Sequence, residues 1–200
     1  MRLARALRSR YPLKGHTTAT FIGLLAATGL RVSEACNLLC SDVDLTEGIL
    51  RIRDTKFAKS RLVPLHPSTT SALLRYRTAR DSFGSAYNGR HFFRTTRKGR
   101  LYYENLSGTF RALSVRAGIR RPGERNGPRL HDFRHRFAMN TLLHAYRSGG
   151  DVKKVVPVLA TYLGHVHPSS TYWYLQHSPE LLQEAIKLLE KKRSTNVSAN

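Results

Sequence analysis

Residues 28–45 read TGLRVSEACNLLCSDVDL, and the chain changes habit three times within and just beyond them. A helix-length apolar run, TTATFIGLLAATGL (17–30), offers Thr17 and Thr18 as caps and stops at Gly29, the residue type that closes helices because it tolerates a left-handed backbone. A second helical segment, VSEACNLLC (32–40), restarts at once with Ser33 as its expected cap. The turn signals of DVDLTEG (42–48) then lead into two short β-type runs, ILRIRD (49–54) and SRLVPL (60–65), joined by TKFAK (55–59). Two abutting helices followed by a hairpin with a basic tip predict an α+β domain.

Downstream, helical periodicity returns in 66–83 and 104–119, and HFFRT (91–95) is the expected third strand. Gly and Pro cluster in RRPGERNGPR (120–129), a loop, and helical pattern then runs almost to the end, broken at RSGGD, GHVHP and Pro179. The last piece, PELLQEAIKLLEKK (179–192), places Leu181, Leu182, Ala185, Ile186, Leu188 and Leu189 on one broad apolar face. The expected fold class is mainly α with a small three-stranded antiparallel sheet. Residues 1–14 read as a short lead, 15–192 as one domain ending in the helix 180–192, and 193–200 as a disordered polar tail.

The 200 residues carry 34 Lys and Arg against 13 Asp and Glu, a formal charge of +21. The basic residues run the whole length, which favours a polyanionic partner, nucleic acid before a ribosomal or membrane-surface role. No apolar run approaches the roughly 20 residues of a membrane span, and no signal peptide pattern opens the chain. Cys36 and Cys40 lie four apart without flanking ligands, so a reduced, cytoplasmic setting is expected.

Several residues could carry chemistry. Arg31 follows a helix end and Glu34 lies one turn on, so the two can meet, either as a site or as a plain surface ion pair. Lys56 and Lys59 on the hairpin tip suit a nucleic-acid groove, and equally suit solvated loop lysines that keep a strand edge unpaired. In HDFRH (131–135), His131, Arg134 and His135 share one predicted helix face. The two histidines have zinc-helix spacing, but Asp132 replaces the glutamate that would activate water and an arginine would sit beside the metal. Tyr172 and Tyr174, two apart, cannot share a helix face, so at most one points into a given pocket.

Taken in order, these segments resemble the boxes of the tyrosine recombinase (phage integrase) catalytic domain. TGLRVSEACNLLCSDVDL resembles the first arginine box, and KFAKSRLVPL (56–65) the hairpin whose lysine lies five residues before an arginine, which selects Lys56 over Lys59. HDFRHRFA resembles H-x-L-R-H with Phe133 for leucine, and LGH (163–165) followed nine residues later by Tyr174 resembles the last box. The match runs over residues 15 to 190. The resemblance implies site-specific DNA cutting and rejoining through a 3′-phosphotyrosyl link.

Under that resemblance Arg31 and Arg134 clamp the phosphate, His131 accepts the phenol proton, Lys56 protonates the leaving oxygen, His165 hydrogen-bonds the phosphate, Tyr174 attacks and Glu34 orients its basic neighbours. It implies no metal, ATP or other cofactor. The implied partners are double-stranded DNA, further copies of the chain from dimer to tetramer, and sister recombinases or accessory proteins, with no membrane; the 180–192 helix often packs in this family against a neighbouring subunit, and its apolar stripe suits packing on its own domain equally well. Two departures stand beside these matches. DTKFAK replaces the usual glycines around the lysine, and about fifteen residues precede the domain where an N-terminal core-binding domain is usual. The latter gives the expectation of a short form, with a recombination-inactive or partner-dependent DNA-binding protein as the alternative.

Overall fold

The computed structural model describes residues 13–53, 60–82, 90–95, 99–165, 178–184 and 186–187. The expected lead (largely), the hairpin tip and the tail lie outside the described residues. The chain divides into two compact units, 1–134 and 135–200.

In the first unit, α1 (Leu13–Thr28) buries residues on nearly every side, with Phe21, Leu24 and Leu25 almost inaccessible. This explains why Thr17 and Thr18 are not its caps: both are buried inside the helix, and the Thr17 hydroxyl meets the Tyr76 hydroxyl and the Arg94 carbonyl, each at 3.3 Å. The short α2 (Val32–Asn37) follows Gly29, whose φ of 61° ends α1 as expected. The three-stranded antiparallel sheet is β1 (Val43–Asp44), β2 (Ile49–Ile52) and β3 (Arg61–Pro64), in that order. Leu50 faces Val63 and Ile52 faces Arg61, so Leu50, Ile52 and Val63 are buried while Arg51 and Leu62 are exposed. Alternation of this kind fixes the register, because a one-residue slip would turn the apolar set outward.

The third strand is not HFFRT but part of DVDLTEG. Residues 91–95 make only isolated bridges, Leu39 to His91 and Arg94 to Arg100. Phe92 and Phe93 are consecutive yet both buried, which a strand with one solvated face would forbid. They pack instead in an aromatic cluster, Phe93 edge-on to Phe21 at 5.1 Å and tilted against Tyr76 at 5.1 Å. Tyr76 comes from α3 (Pro67–Ser82), the helix predicted from 66–83. Each such ring removes enough apolar surface from water to contribute about 1.5–3 kcal/mol. Helix α4 (Tyr103–Arg116) follows, and α5 (Asp132–Arg147) begins at the end of this unit.

In the second unit, the rest of α5 packs with α6 (Val152–Leu163) through Ala138, Leu142, Leu143, Val156, Leu159 and Leu163. Residues 179–184 are helical, and Leu181 joins this core at 1% exposure. Leu182 and Ile186 are 50% and 54% exposed, so among the described residues of the expected apolar face Leu181 is buried while these two are open to water. Among the described residues no helix is long and apolar enough to cross a membrane.

Candidate nucleic-acid site

The first box is a helix stop and an immediate restart. The Gly29 N–H donates to the Leu25 carbonyl at 2.9 Å in a left-handed cap that only glycine adopts without strain. Arg31 then occupies the cap position of α2, and its backbone N–H donates to Glu34 Oε2 at 2.9 Å. Glu34, not Ser33, therefore caps this helix, which gives the three-residue spacing a physical cause: a side chain at the third helical position reaches back to the cap.

The same carboxylate collects two guanidiniums. Arg31 Nη1 donates to Oε1 at 2.8 Å, and Arg61 donates Nη1 to Oε1 at 3.0 Å and Nη2 to Oε2 at 2.8 Å. Burial pushes the Glu34 carboxyl up, but the hydrogen bonds and charge of Arg61, followed by the contacts from Arg31, hold it below its ordinary value. Two cations on one anion leave a surplus positive charge at this point. It borders a cavity of about 420 Å³ lined by Arg31, Glu34, Asn37, Asp42, Arg51 and Arg53, where Arg53 pairs with Asp42 at 2.5 Å.

The second box reaches the first. Helix α5 starts at Asp132, and His131 precedes it, its carbonyl accepting the Arg134 N–H at 3.0 Å. His131 is exposed just before the helix, Arg134 is buried and His135 is half-buried. Arg134 Nη1 donates to the Gly29 carbonyl at 3.0 Å, two residues from Arg31. The loop ahead of His131 is tied by the buried Arg120, whose Nη2 donates to the Pro128 carbonyl at 2.8 Å, and by Asp132, which accepts the Arg129 N–H at 2.8 Å. Among the described residues no group of three or more His, Cys, Asp or Glu is placed to hold a metal ion.

His165 belongs to the second unit. It follows Gly164, left-handed at φ 69°, and the His165 N–H donates to the Ala160 carbonyl at 2.9 Å while the Gly164 N–H donates to Thr161 at 3.0 Å. The LGH box is thus a helix-terminating motif that sets the histidine two residues past a buried Leu163. Lys56 and Tyr174, with Lys59 and Tyr172, lie outside the described residues. The residue that the sequence passed over is Arg61: it marked the hairpin box, but its partner Glu34 lies 27 positions away and no local signal pairs them.

A mainly helical domain with a small antiparallel sheet, carrying these boxes in this order, has the fold of a tyrosine recombinase catalytic domain. A crystal structure of XerA recombinase superposes with a TM-score of 0.67 at 28% identity, covering 86% of this chain and 61% of that one. The catalytic domain of bacteriophage HP1 integrase gives 0.55 at 26% identity, covering 92% of this chain and 87% of that domain. The chain belongs to the phage integrase family, whose model matches residues 3–180. It is 44% identical over 185 residues to a putative integrase/recombinase, y4rB, of Sinorhizobium fredii (strain NBRC 101917 / NGR234), covering 92% of this chain and 59% of that protein. It is 32% identical over 171 residues to the tyrosine recombinase XerA of Thermococcus kodakarensis (strain ATCC BAA-918 / JCM 12380 / KOD1), covering 84% of this chain and 55% of that protein. The chain therefore spans little more than half the length of these relatives.

Proposed function

We propose that this protein is a site-specific DNA recombinase that cuts and rejoins DNA through a 3′-phosphotyrosyl intermediate. The observation that carries the reading is the hydrogen bond from Arg134 to Gly29, which brings the second arginine box against the first across 105 residues of sequence. Two guanidiniums in one neighbourhood suit a phosphodiester under in-line attack, because negative charge gathers on its nonbridging oxygens. The names of the relatives, integrase/recombinase and tyrosine recombinase, support the same activity.

In the proposed reaction the Tyr174 oxygen attacks phosphorus, the new O–P bond forms and the bond to the 5′ oxygen breaks. The phenol, with an ordinary pKa of about 10, gives its proton to His131. Lys56 gives a proton to the departing 5′ oxygen, and Arg31, Arg134 and His165 hold the phosphate. Glu34 orients Arg31. Because the phosphotyrosyl bond conserves the energy of the phosphodiester, attack by another 5′-hydroxyl reverses the steps and reseals the strand. The proposed domain spans 15–192, its partner is double-stranded DNA, and copies of the chain assemble on that DNA through the 180–192 helix.

The test uses duplexes nicked within a randomised core, so that the fragment released by cleavage diffuses away and the protein stays covalently attached. Adduct formed by the natural chain and by Tyr172→Phe, and lost in Tyr174→Phe, is the expected result. Adduct that survives Tyr174→Phe and disappears in Tyr172→Phe moves the nucleophile. Salt-sensitive binding to these duplexes with no adduct from the natural chain returns the protein to a DNA-binding role without cleavage.

A further inference from the structure

Glu34 is a fully used carboxylate. Oε1 accepts from Arg31 Nη1 and Arg61 Nη1, and Oε2 accepts from the Arg31 backbone N–H and Arg61 Nη2, all between 2.8 and 3.0 Å. An ionised carboxylate offers about four acceptor positions, so these four donors fix its rotation as well as its place. The two arginines differ in where they face. The Arg31 side chain keeps 29% of its surface and borders the open cavity, whereas Arg61 keeps 12% and Glu34 6%. Arg61 thus stands behind the carboxylate that Arg31 stands in front of.

Position in the chain adds a second relation. Arg61 pairs with Ile52 in the last rung of the β2–β3 ladder, and the segment between the two strands is the one that carries Lys56. Whatever holds Arg61 therefore holds the base of that segment to the first arginine box. An arginine suits this work better than a lysine, because its planar fork meets both carboxylate oxygens at once and leaves the group one orientation.

We infer that Arg61 is a positioning residue for strand cleavage: its two-pronged grip on Glu34 sets the carboxylate that aims Arg31 at the scissile phosphate. The inference rests on the recombinase reading. In this arrangement Arg61 shares the charge of Glu34 with Arg31. Among the described residues the charged groups around Glu34 include Arg31 from its own box, Arg61 from β3, and Asp42, Arg51 and Arg53 around the cavity. Of these, Arg61 contributes most to keeping the carboxyl ionised against its burial.

The experiment measures single-turnover adduct formation on a nicked duplex recovered from the randomised pool, together with affinity for that duplex and thermal stability. Arg61→Met is expected to slow cleavage on the order of 10²-fold, the usual cost of a misplaced catalytic group, with affinity changed by less than about threefold. Arg61→Lys, which keeps the charge and loses the fork, falls between, and it carries the test if Arg61→Met does not fold. In both variants the acid limb of the cleavage profile moves to higher pH, because Glu34 protonates more readily once its main partner is weakened. The Arg61→Met/Glu34→Gln double variant is no slower than the slower single variant, since both changes break one unit. Wild-type rates in both Arg61 variants overturn the inference, as does an affinity loss equal to the rate loss, which would make Arg61 a phosphate ligand. Slower cleavage with an unmoved acid limb and multiplying losses also overturns it, by reducing Arg61 to a structural residue. No adduct from the natural chain defeats the recombinase reading itself, and is distinguished by that.

Discussion

Arg134 Nη1 donates to the backbone carbonyl of Gly29 at 3.0 Å, although 105 positions separate them. The acceptor is a carbonyl in the turn between α1 and α2, where the left-handed glycine interrupts the helical bonding. Gly29 therefore does two things at once: it ends α1 so that Arg31 can start α2, and it receives the second arginine. A guanidinium that is 3% exposed needs such an acceptor, because a buried cation without partners is costly.

Arg134→Lys is expected to separate stability from chemistry. The ammonium keeps the charge but cannot hold the Gly29 carbonyl and a phosphate with one planar group. Stability to urea should drop by about 1.5–3 kcal/mol, the range for a hydrogen bond to a charged group. Adduct formation should drop further, about 10²- to 10³-fold, as for loss of a donor to developing charge. Unchanged adduct yield in a folded variant removes Arg134 from the phosphate clamp.

Gly164→Ala tests the stop that presents His165. At φ 69° an alanine is strained, and the cost is about 1–2 kcal/mol. Refolding of the turn to relieve that strain would shift the His165 N–H from the Ala160 carbonyl. Cleavage is expected to fall with the loss of stability, and His165→Ala in the Gly164→Ala background should add little. Full additivity of the two changes in single-turnover rate would show that the glycine matters for folding alone.

Much of this was legible in the sequence because caps and periodicity are local. Gly29 read as a helix stop, the breaks read at RSGGD and GHVHP contain Gly149 and Gly164, and all three glycines take positive φ; the run 66–83 became α3 because its apolar spacing is helical. What failed was tertiary. HFFRT looked like a strand through its β-favouring residues, yet Phe92 and Phe93 are held by Phe21 and Tyr76, which no neighbouring residue announces. Thr17 looked like a cap and is a buried tie to Tyr76. Arg61 was visible as a motif letter, but its work depends on Glu34 in another element.

Glu34 makes the fold sensitive to acid. Its folded carboxyl is held below the ordinary value of 4.5, so the unfolded chain takes up the proton first as pH falls. The contribution is fully present above about pH 4.5 and is lost as pH drops through the lowered folded value. Urea unfolding of the natural chain from pH 6 downward should therefore show a loss that Glu34→Gln lacks, with the two curves converging in acid. Parallel curves for the two proteins would mean that the Arg31 and Arg61 contacts do not shift this group.

The last helical segment offers a comparison between neighbours that the sequence could not rank. Ser178 caps it, accepting the Leu181 N–H at 3.3 Å, and Leu181 enters the core formed by α5 and α6 at 1% exposure. Leu182, one residue on, is 50% exposed. Leu181→Ala removes buried methyl groups and leaves a cavity, and is expected to cost about 2–5 kcal/mol in urea unfolding. Leu182→Ala should stay within about 0.5 kcal/mol in the dilute protein, because that side chain is half in water already. The proposed assembly on DNA through this helix adds a second readout: Leu182→Ala and Ile186→Ala should weaken the appearance of dimer and larger species on duplex DNA in analytical ultracentrifugation while leaving monomer stability alone. If Leu182→Ala destabilises the monomer as much as Leu181→Ala, Leu182 belongs to the protein's own core and is not a surface for a second copy.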